Sequence, residues 1–97
     1  MKTLDEFRKS LAADAPPSNL SHALLALWWA GKDQWKRAHE VCQGHEDDAE
    51  CNWVHAHLHH QEGDMSNAGY WYRRAGKPVS KSTVKEEWSE LAGVLLK

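Results

Sequence analysis

Residues 51–74 read CNWVHAHLHHQEGDMSNAGYWYRR. Gly63-Asp64 splits this stretch into two runs with helical spacing of apolar residues. Before the turn, Cys51, Val54 and Leu58 fall on one helical face, and Ala49, Trp53 and Ala56 fall on nearly the opposite one. A helix with two apolar faces must be packed from both sides. Beyond the turn, a second helix from about Met65 to Ala75 carries Tyr70, Trp71 and Tyr72 and ends in Arg73 and Arg74, with Gly76 as its stop and Pro78 beyond. The stretch is therefore a helical hairpin, and it sets the class of the whole chain: all-α.

The rest of the sequence extends that pattern. Upstream, Asp47 or Asp48 can cap the histidine-rich helix. Before it, a helix from near Asp33 through Cys42 shares Trp35, Ala38 and Cys42 on one face, and LSHALLALWWA makes a helix that is apolar nearly all round, capped by Ser18 or Asn19 and ending at Gly31. Thr3 with Glu6 and Thr83 with Glu86 form capping-box patterns that open the first and last helices. Leu4, Phe7 and Leu11 stripe the first, which Pro16-Pro17 terminates; Val84, Trp88, Leu91 and Leu95 stripe the last. About six helices in 97 residues make one domain, with flanking helices at 3–14 and 83–96.

The two central hairpins repeat. At an offset of 30 residues Ala26 aligns with Ala56, Trp35 with Met65, Ala38 with Ala68 and Cys42 with Tyr72. With Ala56, Gly63-Asp64, Ala68, Tyr72 and Ala75 so spaced, the chain resembles the tetratricopeptide-repeat family over units at about 19–45 and 48–76. WVHAHLHHQEGD and NAGYWYRRAGKP also resemble a group of short uncharacterised bacterial proteins. The repeat resemblance implies a right-handed stack of antiparallel hairpins, capped by a flanking helix at each end. It also implies a protein-interaction or scaffold role, with a protein or peptide partner. In that family's pattern, His55 and His59 stand where inward-facing Leu and Tyr are usual.

Composition narrows the function classes. Twelve Lys and Arg against 14 Asp and Glu, with no basic tail, exclude general nucleic-acid binding. No run is long enough to span a membrane, and no apolar leader is present, so the expected setting is cytoplasmic. Cys42 and Cys51 lie on apolar faces and do not form a disulfide framework. Six tryptophans read as large core pieces. A homodimer through the second or last helix is compatible with the apolar surface of the second.

The chemistry concentrates on His55, His59 and Glu62, spaced i, i+4, i+7 on one stripe. Two histidines one turn apart can share a metal, Glu62 can be a third ligand, and His39 on the preceding helix can join them. The same groups suit acid–base work, but no nucleophile or phosphate loop accompanies them. The sequence therefore assigns no catalytic residue and no cofactor; a small-molecule- or divalent-metal-binding protein, or an enzyme, built on His55, His59 and Glu62 is the alternative to the interaction role. The expected recognition surface comprises His39, His55, His59, Glu62, Trp71, Arg73 and Arg74. His57 and His60 are expected at the surface.

Overall fold

The computed structural model describes residues 3–97 and contains helices α1 (Leu4–Ser10), α2 (His22–Gly31), α3 (Trp35–Gln43), α4 (Ala49–Gln61), α5 (Met65–Ala75) and α6 (Val84–Leu95), with no strand among the described residues. Both capping boxes form: Thr3 and Thr83 each accept from the backbone N–H three residues on, and Glu6 and Glu86 reach back. Asp48 caps α4 and Asp64 caps α5. The cap of α2 is Ser21, later than the expected Ser18 or Asn19, because Asn19 takes a left-handed conformation (φ 65°) that a helix start excludes. Helix α1 stops at Ser10, short of the expected 13 or 14. There Ser10 Oγ donates to Phe7 O, and the Lys32 ammonium donates to the carbonyls of Leu11 and Ala13 at 2.8 and 2.9 Å, holding the chain in a turn.

The two central hairpins are built alike. In each inter-helix turn an N–H bonds back five residues, Gln34 to Trp29 O and Asp64 to His59 O, both at 2.9 Å. The residue before that donor is left-handed in both: Asp33 at φ 59° and Gly63 at φ 82°. An aspartate tolerates this conformation and a glycine adopts it freely. The first turn, with Asp33-Gln34 where the second has Gly63-Asp64, thus reproduces its geometry at the 30-residue offset. Three of the four aligned pairs are also buried alike: Ala26 with Ala56, Ala38 with Ala68 and Cys42 with Tyr72 are all fully enclosed, whereas Trp35 is half-buried and Met65 exposed. The four alanines let the paired helices approach closely.

Helix α4 is the hub, packing against α2, α3, α5 and α6. The flanking helices differ from the expected cap at each end. Helix α6 lies along both α2 and α4, and α1 packs on α6, so the two flanking helices meet. The cause is the stripe on α6: Trp88 stacks on Phe7 at 5.6 Å and donates through Nε1 to Leu27 O at 2.8 Å, joining α1, α6 and α2. Arg8 on α1 adds a 2.8 Å bond to Ser89 Oγ. Trp28 and Trp71 are buried and the other four tryptophans pack partly buried against the core, as large core pieces should. No helix among the described residues is long and apolar enough to cross a membrane.

Because Phe7 is the fully buried anchor of α1, Phe7→Ala is expected to lower unfolding free energy by about 3–5 kcal/mol, read by urea denaturation. A loss under about 1 kcal/mol would show that α1 is not held through this residue.

Candidate functional site

Four of the seven histidines lie on α4, and the helix delivers them to two different places. One set faces α3 and α5. His55 and His59, one turn apart on α4, meet His39 of α3, and one ring nitrogen from each lies within 4.8 Å of the others. His39 Nε2 and His55 Nε2 stand 3.0 Å apart. Aromatic rings enclose the group: Trp71 of α5 stacks on His55 at 3.8 Å, and Trp35 stacks on His39 at 4.6 Å. Trp35 is itself fixed by a 2.7 Å bond from Nε1 to Leu58 O. His55 and His59 are buried and His39 is half-buried at the edge.

Two features distinguish this triad. His59 Nδ1 contacts Glu62 Oε1 at 2.7 Å, so a carboxylate orients that ring from outside. His55 spends Nε2 on His39, and its Nδ1 is buried without any partner. Either tautomer of the His39–His55 pair leaves that nitrogen unmet, at a cost of about 1–3 kcal/mol. Burial, aided by the neighbouring His39 and His59 rings and by Arg74, pushes His55 down to about 3. Burial and His59 also lower His39. Both rings are therefore neutral at pH 7, the form that ligates metal.

The expected recognition residues thus divide. His39, His55, His59, Glu62 and Trp71 are brought together, and Arg74 lies over the Trp71 ring at 5.1 Å while donating to Glu46 O. Arg73 is exposed and lies along Gly69 instead. Trp71 is buried, whereas Tyr70 is 45% exposed. Trp35 is a further wall of the centre, placed by its i, i+4 spacing from His39. Cys42 and Cys51 are buried free thiols; burial raises both, Cys51 to about 12, so neither is a ready nucleophile.

The second set corrects the expectation that His57 and His60 are surface residues. His57 is 1% exposed and His60 is half-buried, because both face α6 and its Glu87. Glu87 Oε1 accepts from His57 Nδ1 at 2.7 Å and from His60 Nδ1 at 2.9 Å, and Glu87 Oε2 accepts from the Tyr72 hydroxyl. Burial alone would raise the Glu87 carboxyl, but these three donors outweigh it and hold it at about 2. Burial and the same carboxylate push the Tyr72 hydroxyl up. The sequence carried a signal for this: Glu87 interrupts the apolar stripe of α6, one turn after Val84 and one before Leu91.

Comparison with models of known protein families, with characterised proteins and with solved structures finds no match for this chain.

Glu87 generates a pH prediction. Its folded value lies below its ordinary 4.5, so its stabilisation is complete above that pH and is lost as pH falls toward about 2. Wild type should exceed Glu87→Gln by on the order of 3 kcal/mol at pH 7, with the gap closing below pH 4.5, in urea titrations across pH. A gap independent of pH would show that the charge on Glu87 is not what stabilises.

Proposed function

We propose that this chain binds a borderline divalent transition metal, zinc foremost, through His39, His55 and His59. The observation that carries the reading is the convergence of three imidazoles from two helices, with one ring nitrogen of each within 4.8 Å of the others. Two nitrogens on one tetrahedral zinc lie about 3.3 Å apart. The His39–His55 separation of 3.0 Å is already close to that, and His59 needs only a modest approach. The Glu62–His59 contact is the outer-shell carboxylate that metal-bound histidines commonly have. Imidazole ligands suit zinc, copper and nickel better than magnesium or calcium.

Two other groups have ligand spacing and are weaker candidates. In His57, His60 and Glu87 the carboxylate is already consumed by three donors. His59, Glu62 and Asp64 offer one ring and two exposed carboxylates, one of them already paired. Trp35 and Trp71 cover the His39 triad, so it reads as a closed, fold-supporting site with an edge at His39.

The interaction role implied by the repeat resemblance is the second reading. One observation favours it: α5 presents Met65, Tyr70, Arg73 and Arg74 outward, a mixed aromatic and cationic edge suited to an acidic peptide. Against the usual inner surface of such stacks, α6 already covers α2 and α4. A tetratricopeptide-like module of this size would therefore recognise its partner by the α5 edge.

A thermal melt tests the metal reading. Zinc in slight molar excess over the chain should raise the midpoint of metal-stripped wild type by about 5 °C or more. It should leave His55→Ala/His59→Ala unmoved. His39→Ala, at the half-exposed edge, keeps the fold and should also lose the response. The same rise in all three proteins would place zinc elsewhere and sink the assignment.

A further inference from the structure

A cavity of about 470 Å³ opens between α1, α2, α4 and α6, on the opposite side of α4 from the histidine triad. Its size falls in the range of small-molecule sites. We infer that it binds a small amphipathic anion: an aromatic or aliphatic body carrying one anionic group and a hydrogen-bond donor.

Charge supports this choice. Arg8 and Lys85 both line the cavity, and neither has a carboxylate partner among the described residues. The Arg8 guanidinium rests only on a neutral hydroxyl, Ser89 Oγ. Asp33 is the single acidic side chain in the lining, so the cavity carries a net positive rim. Cations left unneutralised beside an apolar wall recognise an anionic group attached to an apolar body.

The wall supplies the rest. Trp88 gives it a flat aromatic surface, fixed because its Nε1 is held on Leu27 O. His57 also lines the cavity. Its Nδ1 donates to Glu87, which sets the tautomer and leaves Nε2 as an acceptor without a protein partner. Gln61 also lines the cavity, although its side-chain oxygen, which has no hydrogen-bond partner, is enclosed behind the wall. The His57 acceptor calls for a ligand with a hydroxyl or N–H group. The buried Glu87 network then has a positioning role: it holds His57 in one orientation toward the cavity.

A second cavity, of about 430 Å³, is lined by Lys77 and Lys81 but also by Glu87 and Glu90. Its charges offset one another, and it has no unpartnered buried acceptor of this kind. The first cavity is independent of the metal reading, since none of its lining residues belongs to the triad.

The test uses 8-anilinonaphthalene-1-sulfonate, an aromatic anion with an N–H group, and its uncharged analogue N-phenyl-1-naphthylamine. Both are titrated into the full chain in EDTA, with near-ultraviolet circular dichroism verifying the native fold. The sulfonate should bind at one per chain and shift amide signals of residues 8–11, 57–61 and 84–89 in a nitrogen-15 spectrum. The uncharged analogue should bind about tenfold more weakly, and Arg8→Gln/Lys85→Gln should lose about tenfold for the sulfonate while remaining folded. Equal binding of both probes, an unaffected double variant, shifts centred on Trp53 and Lys77, or no saturable binding would each overturn the assignment.

Discussion

Helix α4 packs against four other helices, so the polar side chains it buries must be satisfied by protein rather than water. This constraint organises the molecule. Eight of its 13 residues are buried, among them Asn52, His55, His57 and His59. A buried imidazole needs two partners, one for each ring nitrogen. The helix turns by 100° per residue, so alternate histidines leave in nearly opposite directions. His55 and His59 go toward α3 and α5; His57 and His60 go toward α6. Each direction needed its own solution.

The two solutions are chemically different. Toward α6 the answer is a buried carboxylate, Glu87, which collects His57, His60 and Tyr72 and so ties α4, α5 and α6 at one point. The charge is affordable there because three donors surround it. Toward α3 and α5 there is no carboxylate in the interior. The rings face each other, aromatic side chains cover them, and His55 keeps an unmatched nitrogen. In the Glu87 cluster a buried carboxylate meets the Nδ1 of both rings, whereas in the triad the interior offers His39 and His55 only each other. The contrast within one helix makes the open set the candidate for an external ligand.

Much of the fold was legible because it rests on local chemistry. Thr3 and Thr83 announce helix starts, Gly76 announces an end, and Ala26, Ala38, Ala56 and Ala68 mark close helix contacts at a fixed offset. The convergence of His39 with His55 and His59 was also readable, since the repeat register places α3 beside α4. What escaped was non-local. Nothing near Ser10 shows that Lys32 will take the carbonyls that follow it and end α1 there. The position of α6 across α2 and α4 depends on Trp88 reaching both Phe7 and Leu27, which lie far away in sequence. Without that placement His57 and His60 look like surface residues, and Glu87 looks like one more charge in a capping turn.

The central claim is that the α4 histidines are divided into a metal-ready set and a carboxylate-held set. Long-range proton–nitrogen NMR of the imidazole rings, before and after one equivalent of zinc, tests it directly. The His22–His45 stack, its rings 3.6 Å apart with His22 exposed and His45 half-buried, is the built-in competitor for adventitious metal. The account predicts large nitrogen shifts confined to His39, His55 and His59, while His57 and His60 keep the spectrum set by Glu87. Shifts at His22 and His45 alone, or at His57 and His60, would contradict it.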